Sequence, residues 1–153
     1  MHQVGDLHQP LHVVALDGPS WADGDGGGNN FFVRVREDRK PIDLHALWDG
    51  LLGSGGCWQV ISNKATERRV APEFDRKKRH EVRAKDVDVW VGESYRYARR
   101  LAYGNGSVVG TSDEKNGAVV LEWYTDVAKA VAERRVVRAG HRPAGLLQTT
   151  LGR

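Results

Sequence analysis

The chain has 153 residues, 23 Lys and Arg, 20 Asp and Glu and a formal net charge of +3, the size of one ordinary domain. No apolar run approaches the roughly 18 residues of a spanning helix, so a membrane span is excluded. One cysteine, Cys57, excludes an internal disulfide framework and any zinc finger built on several thiolates.

The charge is uneven along the chain. Residues 1–60 hold 4 Lys/Arg and 8 Asp/Glu, and residues 61–153 hold 19 and 12. Four of the six histidines, His2, His8, His12 and His45, lie in the acidic first part. His and Asp together suit a metal. The basic remainder suits a polyanion, or is the ordinary solvated face of its helices.

In chain order, residues 1–9 read as a helix. It ends before Pro10, which lacks an N–H and biases Gln9 away from helix. Residues 17–30, DGPSWADGDGGGNN, are turn-formers and read as one loop. Residues 31–36 alternate Val33 and Val35 with Arg34 and Arg36, the period of a half-buried strand. Residues 37–41 read as a turn. Asp43 is placed to cap a helix from Leu44 to about Leu52, which Gly53, Gly55 and Gly56 stop. Residues 64–83, with RKKRH at 76–80, read as a weak helix or an exposed connection. A stronger helix is predicted from about Lys85 to Tyr103, with Val89, Trp90, Tyr97 and Leu101 on related faces. A second loop covers 104–117. From Ala118 to about Leu151 the pattern is helical again, interrupted at Pro143. No repeat or second domain is visible.

Three motifs carry chemistry. In His2-x3-Asp6-x5-His12, residues four apart share a helix face, so His2 and Asp6 can point at one cation. The Pro10 turn swings His12 round from beyond the helix end. His45-x3-Asp49, in DLHALWD, repeats the spacing on the next helix. Imidazole nitrogen and carboxylate oxygen suit zinc, which takes three or four such ligands. A single His-x3-Asp is also the spacing of an ordinary surface pair. His8 faces away from Asp6 on a helix and reads as supporting or structural, and Trp48 reads as core rather than substrate platform. The third motif, Asp25-Gly-Gly27-Gly28-Asn29, lets a ligand approach the backbone and offers an amide to a base edge, or is a plain turn. It lacks the Gly-Lys-Ser/Thr of a P-loop. It also lacks the strand-then-helix setting of a dinucleotide fingerprint. An EF-hand loop from Asp23 wants Glu at its twelfth place, where Arg34 stands.

Taken together, HQVGDLHQPLH, DGGGN leading into a strand, and DLHALWD resemble the zinc-dependent, single-strand-specific nucleases of the S-one/P-one type. Trp90, Glu93 and Ser94 look like that family's WxxES segment, and residues 132–148 look like its closing helix. Pro143 departs from the Leu the family has in AGxRLA. Asn105-Gly-Ser107 is a glycosylation sequon, relevant only in a eukaryotic secretory route.

The resemblance implies a mainly α fold, the helical fold of phospholipase C and single-strand nucleases, with one short β element. It implies three zinc ions per complete enzyme. His12, His45 and Asp49 match the full protein ligand set of one. His2 and Asp6 match half the set of a second, and Asp6 also matches the carboxylate bridging to a third, which makes it the implied catalytic residue. Gly27 and Asn29 match groups that hold a nucleobase. The implied reaction is metal-assisted hydrolysis of single-stranded DNA or RNA to 5′-phosphorylated products. Complete members are about twice this length, so residues 1–153 are expected to be the C-terminal portion of one nuclease domain. Hydrolysis by this portion alone is expected to be weak, and its exposed helix faces to favour self-association. The alternatives are a non-catalytic zinc- or nucleic-acid-binding remnant and a phosphoesterase acting on lipid headgroups; the GGN and HQPLH segments argue against the latter. The resemblance implies export to the periplasm or medium, whereas no leader is legible at the start, so the compartment stays open.

Overall fold

The computed structural model describes residues 2–53 and 86–152. Cys57, Gly55, Gly56 and the charged stretch at 64–83 lie outside the described residues, as does the side chain of His2.

The first helix, α1, covers His2–Asp6 and unwinds through turns at Leu7 and His8. Gln9 is extended, at φ −79° and ψ 119°, as a residue before proline should be. Pro10 then opens a single 3-10 turn, Pro10–Val13. Proline suits that first position because its missing N–H has no partner there anyway. Leu11 on this turn is buried and anchors it to the core.

The expected strand forms as β1, Phe32–Arg34. It is the centre of a three-stranded sheet of order β2-β1-β3. β2, Ile42–Asp43, pairs with it antiparallel, with Val33 opposite Ile42. β3, Ala118–Val119, pairs with it parallel, with Val33 opposite Ala118. This corrects the expected helix from Ala118. Gly117 has no side chain, and a Cβ there would stand 2.9 Å from the Val33 carbonyl carbon. The backbone can therefore close on β1, and helix starts only at Tyr124.

α2, Leu44–Gly50, follows β2 without a loop. Asp43 ends the strand and caps the helix, its carboxylate accepting from Ala46 N at 2.7 Å. α3, Val87–Tyr97, is capped by Asp86 and runs into a π-helical turn, Ala98–Ala102. α4, Tyr124–Leu151, is continuous through Pro143, which corrects the expected interruption. Proline removes one backbone bond there, but the adjacent Arg142 is buried and tied to Glu93 and His8, which anchors the helix beside it.

The core joins these pieces at Leu11, Phe31, Val33, Leu44, Leu47, Trp48, Tyr103 and Tyr124. Trp48 is buried, and its Nε1–H donates to the Tyr124 hydroxyl at 2.9 Å. That hydroxyl donates on to the Ala102 carbonyl at 2.9 Å. Burial raises the Tyr124 phenol to about 12, partly offset by the Trp48 donor. α2, α4 and the π-helical turn after α3 therefore meet at one satisfied polar chain inside an apolar core.

Candidate metal centre

His12 sits on the 3-10 turn, and His45 and Asp49 lie one helical turn apart on α2. The fold brings all three together. His12 and His45 rings stack, with centroids 4.9 Å apart and planes 16° from parallel. Their Nε2 atoms lie 3.1 Å apart. Asp49 Oδ2 stands 3.6 Å from His45 Nε2. One ligand atom from each residue lies within 4.8 Å of the other two.

The other ring nitrogen of His45 decides what Nε2 can do. His45 Nδ1 lies 2.9 Å from the Gly27 carbonyl. A carbonyl only accepts, so Nδ1 carries the hydrogen and Nε2 presents its lone pair. Backbone acceptors of this kind orient metal-ligating histidines.

The donor set is two imidazole nitrogens and one carboxylate, the set of a three-ligand zinc site with an open fourth position. Bonds of about 2.0–2.1 Å at tetrahedral angles put ligand atoms about 3.3 Å apart. Two of the three separations, 3.1 and 3.6 Å, bracket that value, and the third, His12 to Asp49, lies within 4.8 Å. Among the described residues, these side chains could hold a metal ion, and their donor types suit zinc.

The glycine loop is built onto this centre. Gly27 has φ +67°, and a Cβ there would sit 2.5 Å from the Leu11 carbonyl oxygen on the turn that carries His12. Only glycine allows both the left-handed backbone and that approach. Asp25 is fully buried beneath the loop. Its carboxylate accepts from Leu16 N at 2.8 Å, Gly27 N at 3.1 Å and the Tyr103 hydroxyl at 2.6 Å. Burial and the Asp25 charge push the Tyr103 phenol far above its ordinary range, so it stays a donor. Asn29 is exposed, and its Nδ2 donates to the Gly26 carbonyl at 2.6 Å. It also lies 3.4 Å from His45 Nδ1. Both nitrogens carry hydrogen, so they touch without bonding.

An open cavity of about 420 Å³ faces Asp6, His12, His45, Gly26 and Gly27. Asp6 thus shares the cavity with two of the three grouped ligands but is not one of the group. His2 lies at the first residue of α1.

Reasoning from sequence missed two sets of contacts. Gln9 donates from Nε2 to Asp49 Oδ1 at 3.1 Å. The second set is a buried charge cluster. Glu93 on α3 receives Arg135 Nη1 at 2.7 Å and Arg142 Nη2 at 2.8 Å, with Arg138 Nη1 farther out at 3.5 Å. Arg135 Nε donates to the His8 carbonyl at 3.0 Å, and Arg142 Nη1 donates to His8 Nε2 at 2.9 Å. Ser94 bonds the Leu7 carbonyl and receives Arg135. The signal was present: residues 135, 138 and 142 are three and four apart, one stripe of a helix.

His8 Nδ1–H donates to the Val4 carbonyl at 2.6 Å, so Nε2 is the acceptor for Arg142. Burial lowers this imidazole to about 4; the Val4 acceptor opposes that, and the Arg135 and Arg142 charges add to it. His8 is therefore a neutral structural histidine. Burial raises the Glu93 carboxyl, but the hydrogen bonds and charges of Arg142, Arg135 and Arg138 outweigh it and hold it below its ordinary range. This cluster fixes the segment between α1 and the His12 turn against α3 and α4.

The chain is mainly α, with a His-His-Asp cluster that could hold a metal ion beside a glycine loop. Residues 1–152 match the family model of the S1/P1 nucleases, and the chain belongs to that family. It is 26% identical over 167 residues to Endonuclease 3 of Arabidopsis thaliana, covering 95% of this chain and 48% of that one. It is 25% identical over 161 residues to Nuclease S1 of Aspergillus oryzae, covering 96% and 51%. Endonuclease 4 of Arabidopsis thaliana matches at 43% over 51 residues, covering 33% and 14%. The chain spans about half the length of the first two relatives.

Proposed function

We propose that this chain carries a zinc-dependent endonuclease centre that hydrolyses phosphodiester bonds of single-stranded nucleic acid to 5′-phosphorylated products. The observation that carries the reading is the His12–His45–Asp49 cluster, built against a glycine loop in a member of the S1/P1 nuclease family.

His12, His45 and Asp49 would hold zinc. Zinc in such a site neutralises phosphate charge and acidifies water. The acceptor-only Gly27 carbonyl keeps His45 in the tautomer that offers Nε2. Asp6 brings a carboxylate to the shared cavity, and His2 stands one turn before it on the same helix. These two are the proposed ligands of a further cation, with Asp6 the proposed catalytic residue. Gly27 and Asn29 are the proposed nucleobase site: the loop there has no side chain at Gly27, and Asn29 is exposed. An unpaired base can turn out of its stack to reach such a loop, whereas a paired base cannot without opening the duplex.

The test is hydrolysis of single-stranded DNA and RNA by the purified chain with zinc, beside Asp6→Ala and His12→Ala. Zinc-dependent cleavage lost in both variants supports the reading. A second reading, a non-catalytic zinc-binding module, is favoured by one observation. Among the described residues a single three-ligand group assembles, and Asp6 is outside it. Zinc bound by the chain without cleavage above the Asp6→Ala level would select that second reading.

A further inference from the structure

Gln9 lies between the two elements that carry the candidate ligands, and every polar atom of its side chain is aimed at one of them. Pro10 forces Gln9 out of helix, at φ −79° and ψ 119°. From there its main-chain carbonyl accepts from His12 N at 3.1 Å. Its side-chain Oε1 accepts from Leu11 N at 2.5 Å, capping the turn that holds His12. Its Nε2 donates to Asp49 Oδ1 at 3.1 Å. The partners fix which end of the amide is which. A backbone N–H can only donate, so it faces oxygen, and a carboxylate can only accept, so it faces nitrogen.

The Asp49 side chain is 54% exposed and projects from the rim of α2. A carboxylate there is otherwise a mobile surface group. Holding Oδ1 leaves Oδ2 toward His45 Nε2, at 3.6 Å. Glu can cap the turn but cannot donate to Asp49. Met fills the space and does neither. Asn is one methylene shorter.

We infer that Gln9 is a positioning residue of the metal centre, a single amide that sets the His12 turn and the Asp49 carboxylate together. The inference rests on the proposed His12–His45–Asp49 zinc site. Outer partners of this kind are worth about 10- to 100-fold in metal affinity.

The test compares the wild-type chain with Gln9→Met, Gln9→Glu and His12→Ala. Three quantities are measured: zinc affinity by chelator competition, the visible spectrum of the cobalt-substituted chain, and the melting temperature without metal. Gln9→Met is expected to lose about 10- to 100-fold in zinc affinity and to change the cobalt spectrum. Gln9→Glu keeps the cap, so its metal-free melting temperature should stay near wild type while its cobalt spectrum changes. A purely structural cap predicts otherwise: a lower metal-free melting temperature in Gln9→Met, with wild-type zinc affinity measured well below that temperature. That result, or a wild-type cobalt spectrum in Gln9→Glu, overturns the inference. His12→Ala reports on the site itself. If that variant keeps wild-type zinc affinity, the zinc-site reading fails, whatever Gln9 does.

Discussion

At the scale of single residues, the centre depends on backbone that only glycine can adopt. Gly27 holds φ +67°, its missing Cβ makes room for the Leu11 carbonyl, and its own carbonyl orients His45. Gly27→Ala should therefore lower stability by roughly 1–3 kcal/mol and weaken zinc binding in the same variant; urea unfolding and chelator competition read the two effects. Asn29→Ala tests the neighbouring role. It should weaken nucleotide binding and leave zinc content unchanged, and loss of zinc would make Asn29 a support of His45 instead. His8 supplies a pH dependence with a definite sign. Its imidazole is lowered in the folded chain to about 4 from an ordinary 6.5. Between those values the unfolded chain binds a proton that the folded chain does not. Stability is thus fully present above pH 6.5 and is lost as pH falls toward 4, by on the order of 3 kcal/mol for this one group. The Glu93 carboxyl, held low, adds to the loss only below the ordinary carboxylate range. In His8→Gln, unfolding midpoints measured from pH 7 to 4.5 should fall less steeply than in the wild type. Parallel curves would remove His8 from the explanation.

At the scale of elements, one carboxylate joins three guanidinium groups between α3 and α4. Arg135 and Arg142 are almost fully buried, and Glu93 is mostly so. Arg142 also lies over the Trp90 ring, its guanidinium carbon 5.4 Å from the centroid. Removing this negative partner leaves buried cations facing one another, which costs about 3–5 kcal/mol when one side of a buried pair is deleted. Glu93→Gln should show a loss of that order in urea unfolding. Arg138→Ala should lose less, since Arg138 stands 3.5 Å away on the margin. Equal losses would mean that the cluster has no buried centre. The same elements show what patterning can and cannot convey. The Asp43 cap, the Gly53 stop and the 3.6-residue period around Trp90 are local signals, and α2 and α3 formed where those signals stand. β3 had no local signal. AVV reads as the start of a helix, and what makes it a strand is the approach of Gly117 to Val33, about 85 residues earlier in the chain. Pro143 was misread for the complementary reason: the local rule breaks the helix, and the ion pairs of Arg142 across to α3 hold it.

At the scale of the whole molecule, the mainly α class was legible in the sequence, and so were three residues that the fold groups into a candidate site. His12, His45 and Asp49 were named from spacing and resemblance, and the structure draws them together. What spacing could not convey is the support beneath them. Gln9 reaches Asp49 across 40 positions, and Arg142 reaches His8 across 134. These contacts depend on the tertiary fold alone. They also make a global prediction. The ligand cluster ties the turn at 10–13 to α2, two elements that otherwise meet through Gln9, the glycine loop and the shared core. A cation that binds only the folded chain adds RT ln(1 + [L]/Kd) to its stability, about 2.7 kcal/mol at a hundredfold excess over Kd. For a chain of this size that is roughly 5–10 °C in melting temperature. Zinc titrated into the metal-free chain should therefore raise the melting temperature continuously with the logarithm of its concentration. A chelator should reverse the rise, and His12→Ala should show little of it. The sign separates a built site from surface scavenging. Zinc bound by histidines of the unfolded chain would flatten or invert the slope. A melting temperature that does not move with zinc in the wild-type chain would therefore remove the cluster as a folded-state metal centre, and a rise equally large in His12→Ala would move the site elsewhere.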